Sequence, residues 1–288
     1  MTLIDAGRTE QAEAVPAASA RTDLTFTRAA HGDGTERVLL RRDGRTVFSC
    51  LATRRHDSTW FVTECLPRRR DAKSAALLLA VCDHLAADSG STDVVTISPE
   101  FWGPQLAASG ARPLQRIIPM RLPLDEDLLL LHGRALPGPG RLVPLDMSDG
   151  ALARLAQLSA DDQREGDLIV WQETLDGVYG PVIAEASLQV GPGAELTAAI
   201  AITEYRGKPL IAHLVTAAAE RGGGLGKALL VESLRRLSCS GYVECHLNVV
   251  ADNWIARRLY RSIGFIQAGP ELLASWVSRG KVSGDEPR

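Results

Sequence analysis

The chain has 288 residues, 45% hydrophobic and 23% charged, the balance of a soluble globular protein long enough for two compact units. A net charge of −3 and a pI near 6.1 argue against nucleic acid as the main partner. No run approaches the roughly 18 apolar residues of a membrane span. The five cysteines are odd in number and show no Cys-x-x-Cys spacing. They fit neither a disulfide framework nor a zinc site, and they suit a reducing cytoplasm.

Residues 1–23 mix Ala, Glu, Arg and Pro without an apolar core and are expected to be a disordered tail rather than a signal peptide. Val38–Arg42 and Thr46–Thr53 flank Asp43-Gly44 and predict a hairpin. The run Arg68-Arg69-Arg70 precedes a predicted helix over Ala75–Ala87. A strand follows over Asp93–Ile97 and a helix over Glu100–Ser109. Leu136–Gly140, reading Leu-Pro-Gly-Pro-Gly, is the best linker and divides the chain into residues 24–135 and 140–288.

In the second part, Tyr179-Gly180-Pro181 marks a turn before strands over Ser187–Val190, Thr197–Tyr205 and Pro209–Thr216. The last strand runs into Arg221-Gly222-Gly223-Gly224-Leu225-Gly226-Lys227, which opens a helix with Leu225, Leu229, Leu230, Leu234 and Leu237 at helical spacing. A glycine turn at a helix N-terminus is a ready phosphate site, because unpaired N–H groups and the positive end of the dipole converge there. A Walker loop would need glycine and Ser or Thr where Arg221 and Ala228 stand. A dinucleotide fingerprint starting at Gly222 or Gly224 would end on Lys227 or Leu229 instead of glycine. Beyond the helix come a strand over Tyr242–Val250 and a helix over Asn253–Ile263, with Ile255, Ala256, Leu259 and Ile263 expected to face inward.

The pattern that does fit is Arg221-x-x-Gly224-x-Gly226, followed by Leu247-x-Val249, Asn253, Ala256, Leu259-Tyr260 and Gly264-Phe265. In residue type and spacing this tail of about 60 residues resembles the GNAT superfamily of acyl-CoA-dependent N-acetyltransferases. The first part resembles the same plan more faintly. Ala76, Leu77, Leu78 and Leu85 align with Ala228, Leu229, Leu230 and Leu237, while Arg69, Ala72 and Ser74 stand against Arg221, Gly224 and Gly226. The resemblance therefore implies an α+β protein of tandem GNAT-like domains. Each would be a mixed, mostly antiparallel sheet flanked by helices, with a degenerate first domain.

It also implies acetyl-CoA as acyl donor, no metal, and a small amine as the other substrate, acetylated by direct attack in a monomer or homodimer. The cofactor would lie on Leu214, Val215 and Thr216, on the turn Arg221, Gly222, Gly223, Gly224, Leu225, Gly226 and Lys227, and beside Asn253, Ala256 and Tyr260. Tyr260 stands where the family places a catalytic tyrosine at the leaving thiolate. With a phenol near pKa 10 and a thiol near 8.5, full proton transfer is uphill by roughly 2 kcal/mol, so a hydrogen bond with late transfer is expected. Leu210 occupies the family's frequent base position, which leaves Glu204 and His213 as alternative bases. Asn248 and His246 share one strand face and are candidate cleft residues. Two other functions remain open: a protein acetyltransferase acting on lysine or N-terminal amines, and a non-catalytic acyl-CoA-binding regulatory module. An open acidic cleft would favour the former; a closed pocket between the halves favours a small substrate.

Overall fold

The computed structural model describes residues 24–278 apart from 33–34, 56–58, 90–92, 125–140, 147, 149–153, 156–157, 159–170, 175–176 and 192–195. The expected N-terminal tail and the Leu136–Gly140 linker lie outside the described residues.

Four strands come first: β1 (Thr25–Gly32), β2 (Thr35–Arg42), β3 (Arg45–Arg54) and β4 (Trp60–Leu66). Helix α1 (Ala72–Ser89) and strand β5 (Asp93–Pro99) follow. A 3-10 turn over Glu100–Trp102, helix α2 (Gly103–Ala108) and strand β6 (Arg112–Pro123) complete the first half. The plan then repeats with β7 (Leu142–Pro144), β8 (Leu188–Val190), β9 (Ala198–Tyr205) and β10 (Lys208–Thr216). After these come α3 (Leu225–Cys239), β11 (Glu244–Val250), α4 (Trp254–Ile263), β12 (Ile266–Gln267) and β13 (Leu272–Ser278). The α+β architecture is the expected one, a mixed and mostly antiparallel sheet flanked by helices.

Local chemistry explains the elements. Asp43 and Gly44 both take positive φ, 50° and 74°, the twist a two-residue hairpin needs between β2 and β3. In α1, Ala75, Leu78, Val81, Cys82 and Leu85 recur at helical steps and are fully or almost fully buried. In α3 the five leucines singled out by spacing are all buried. Strand β9 is apolar along most of its length because both its faces are covered. Ile200 and Ile202 pack under α3, while Ala199 and Ala201 meet Leu145, Leu155 and Trp171 on the other face.

The halves are not stacked side by side as closed units. One sheet runs through both in the order β1-β2-β3-β4-β5-β13-β6-β11-β10-β9-β8-β7. The last strand of the second half, β13, lies between β5 and β6 of the first. In turn β6 lies between β13 and β11, pairing with β11 from Ile117 opposite Val250 to Pro123 opposite Glu244. Each half thus lends its final strand to the other. Side chains follow: Ile118, Met120 and Leu122 complete the core under α3, and Val277 completes the core under α1.

Two expectations fail in detail. Ile255 is 65% exposed, as is Trp254, because the buried stripe of α4 falls on Tyr260 and Ile263 and leaves the first turn outside. The predicted helix over Glu100–Ser109 is a 3-10 turn joined to a six-residue helix.

Candidate active site

Strand β10 changes partner along its length. It pairs with β9 in antiparallel register from Lys208–Tyr205 to Thr216–Ala198, with a bulge between Ile211 and His213. Its parallel pairing with β11 covers Leu210–His246 and Ile211–Leu247 and then stops. Beyond Ile211 the two strands diverge and leave a gap in the sheet. Ala217 donates its N–H to Thr197 at 2.8 Å, which sets the alternation: odd residues of this stretch bond to β9. The backbone groups of Leu214 and Thr216 therefore point into the gap, and Arg221 Nε donates to the Thr216 carbonyl at 3.0 Å. Val215 points its side chain toward Trp171 on the far face.

The gap leads to the glycine turn. Gly222 and Gly224 have φ of 81° and 88°, a conformation that L side chains rarely adopt. Gly224 is the N-cap of α3, and no side chain caps that helix. Its first-turn N–H groups are thus left for an anion. Leu225 is buried in the core, so it offers the turn only its backbone. Gly226 lies against Thr216, whose hydroxyl would come within 2.9 Å of an added Cβ. Gly223 and Lys227 complete the turn, with Lys227 half-buried.

The same helix end in the first half is closed by its own side chain. The Asp71 carboxylate accepts from Ser74 N at 2.7 Å at the start of α1. Hydrogen bonds from Ser74 hold the Asp71 carboxyl below its ordinary range.

On the α3 and α4 face of the sheet, Asn253 caps α4, its side-chain oxygen accepting from Ala256 N at 3.1 Å. Tyr260 is 8% exposed, with its ring edge-on to Phe265 at 5.7 Å. Burial, with Cys245 adding to it, pushes its phenol up to about 12. Glu204 belongs to this face too, since it alternates with Ile200 and Ile202. It accepts a hydrogen bond from Tyr242 Oη at 2.7 Å, and that bond pushes the Tyr242 phenol up to about 12.

His213 lies on the opposite face. It lines a cavity of about 410 Å³ bounded by both halves, with Phe61, Thr63, Glu64, Cys65 and Arg68 from the first and Tyr179, Tyr205 and Asn248 from the second. The two base candidates are therefore separated by the sheet, and His213 is the one on the cavity. Its ring stacks on Trp171 at 4.1 Å, and its Nε2 meets Thr174 Oγ1 at 2.8 Å. Of the two cleft candidates on β11, Asn248 lines the cavity while His246 meets Glu244 at 3.1 Å.

Polar links stitch the cavity walls together. Arg55 of the first half grips the fully buried Glu173 through two bonds of 2.6 Å, and Tyr179 Oη donates to the same carboxylate at 3.2 Å. Burial, then the Glu173 charge, raises the Tyr179 phenol well above its ordinary value. Arg206 pairs with Glu64, which itself has φ of 53°. The Tyr179-Gly180-Pro181 turn is fixed against β9: a Cβ on Gly180 would lie 2.2 Å from the Glu204 carbonyl oxygen. Arg55, Trp171, Glu173 and Thr174 escaped the sequence reading. Arg55 and Glu173 are 118 residues apart, and no local motif joins them.

Comparisons with known proteins agree on the second half. Residues 188–279 match the family model described as an acetyltransferase (GNAT) domain. No curated protein matches the chain. Among solved structures, a GCN5-related N-acetyltransferase from Sphaerobacter thermophilus is 18% identical, with a TM-score of 0.57 over 87% of this chain and 82% of that one. A tandem GNAT protein from the clavulanic acid biosynthesis pathway is 17% identical, with a TM-score of 0.58 over 84% and 82%. A Drosophila protein is 17% identical, with a TM-score of 0.61 over 83% and 78%. At these identities the structures share the fold.

Proposed function

We propose, for a chain whose C-terminal region carries a GNAT acetyltransferase domain within a fold shared with a tandem GNAT protein, that it transfers an acetyl group from acetyl-CoA to an amine of a small molecule. The observation that carries this reading is the gap between β10 and β11. On one face it runs to the uncapped N-terminus of α3, and on the other it meets a cavity lined by both halves. The pyrophosphate of acetyl-CoA is held by the turn Arg221–Lys227, with the pantetheine arm along Leu214, Val215 and Thr216 and beside Asn253 and Ala256. A cavity walled by two halves and lined largely by apolar side chains favours a small acceptor over a protein tail.

The amine attacks the thioester from the cavity face. His213, oriented by Trp171 and Thr174 on the cavity face, takes the ammonium proton as the general base. Tyr260 approaches from the α4 face and hydrogen-bonds the sulfur as thiolate charge develops. Its raised pKa makes full proton transfer more uphill than for an ordinary phenol, so its contribution is a hydrogen bond in the transition state. The test is thiol release from acetyl-CoA across amino acids, polyamines, aminoglycosides and peptides. Release with one class of small amine is expected; release with peptides alone favours the protein acetyltransferase, and saturable acetyl-CoA binding without release to any acceptor favours a regulatory module.

A further inference from the structure

The cavity also carries information about what the acceptor looks like, on the premise that it is the acceptor site. Its walls are mostly apolar, including Phe61, Ile97, Ile117, Leu210, Val250 and Leu272. Its lining includes one carboxylate, Glu64, one guanidinium, Arg68, and one imidazole, His213; burial raises the thiol of Cys65 and the phenols of Tyr179 and Tyr205. The Glu64 carboxylate is taken up by Arg206. Arg68 forms no ion pair among the described residues, and its charge draws the Cys65 thiol down against the stronger upward effect of burial. The cavity therefore presents one unneutralised guanidinium.

Arg68 is itself exposed, and the other two members of its run are held elsewhere. The Arg69 carbonyl accepts from Trp102 Nε1 at 2.7 Å, and the Arg70 guanidinium stacks over Phe101 at 5.2 Å. With Arg69 and Arg70 anchored toward the 3-10 turn, Arg68 is the member of the run on the cavity. A planar fork with no ion-pair partner among the described residues matches a planar carboxylate through two parallel bonds. A phosphate, with more charge and a third oxygen, would want further donors beside it. An uncompensated cation also opposes the entry of a lone ammonium, whereas a molecule carrying both groups cancels it.

We propose that the acceptor is an amine that also bears a carboxylate on an apolar body, of the class of apolar amino acids, with Arg68 of the first half binding its carboxylate. The segment that aligns with a cofactor turn thus serves acceptor recognition.

The test uses the full chain and two matched pairs: L-phenylalanine against phenethylamine, and L-leucine against isoamylamine. Thiol release is read as kcat/KM, and calorimetry of the N-acetylated forms gives binding independently of turnover. The acids are expected to be favoured about tenfold to a hundredfold, the worth of a charge-assisted pair. Arg68→Gln should remove the preference, Arg68→Lys should keep part of it, and Arg70→Gln should keep all of it. Equal binding of acid and neutral partner, binding of neither, or a preference that survives Arg68→Gln overturns the inference. If every amine is acetylated alike, acetyl transfer stands and the inference falls. If the acids bind selectively without thiol release, carboxylate binding at Arg68 stands, and acetyl transfer falls together with the acceptor role.

Discussion

Tyr260 shows how a side chain's surroundings revise what its type suggests. The sequence places a tyrosine where a thiolate donor is expected, and an ordinary phenol would begin to ionise near pH 10. Burial beside Cys245 raises it to about 12, so an alkaline limb owed to Tyr260 lies well above the range in which most enzymes are assayed. Tyr260→Phe keeps the ring and its contact with Phe265 and removes only the hydroxyl. Turnover at saturating substrate is expected to fall about tenfold to a thousandfold with little change in apparent acetyl-CoA affinity. Because the phenol stays protonated, the ratio of parent to variant rates should stay constant from pH 6 to 10. Full turnover in the variant would make Tyr260 a packing residue, and a ratio that collapses toward pH 10 would contradict the raised pKa.

At the scale of elements, α3 and its preceding turn were legible because glycine spacing and leucine period are local signals that need no knowledge of the fold. The hairpin at Asp43-Gly44 and the cap at Asn253 were legible for the same reason. The separation of Glu204 from His213 was not, because it depends on the bulge between Ile211 and His213 and on which face Trp171 covers. The Arg55–Glu173–Tyr179 network was hidden by sequence distance. The turn itself is testable by Gly224→Val. At φ of 88° an L side chain costs the fold about 1–2 kcal/mol, while its methyls would stand where a phosphate must approach. Acetyl-CoA affinity is expected to drop at least tenfold by calorimetry, while the chain keeps its fold by circular dichroism. Unchanged stabilisation of the variant by acetyl-CoA in a melting assay would rule this out.

At the scale of the molecule, the exchanged strands β6 and β13 make each core depend on the other half, and Arg55–Glu173 pins the cavity between them. Arg55→Leu leaves a fully buried carboxylate without its cation and is expected to cost about 3–5 kcal/mol in denaturant unfolding. Replacing both residues with leucine should recover most of that loss, because an apolar pair removes the stranded charge. A single variant as stable as the parent would mean that Glu173 finds another partner.

The two halves share a plan but not the chemistry of their helix starts, and this leads to a stoichiometry. At α3 the N-cap is glycine, and its N–H groups are free of any side-chain cap. At α1 the Asp71 carboxylate already accepts from the Ser74 N–H, and a second anion there would face its charge. Ala72 and Ser74 replace the two glycines, so side-chain atoms stand where backbone would have to meet phosphate. The Arg69 carbonyl is committed to Trp102, and Arg68 faces the cavity instead of the helix end. Titration calorimetry should therefore give one acetyl-CoA per chain. Gly224→Val should weaken that single site, and Asp71→Ala should leave it unchanged. Two equivalent sites per chain, or one site that survives Gly224→Val and responds to Asp71→Ala, would place the cofactor in the first half and reverse the assignment of roles.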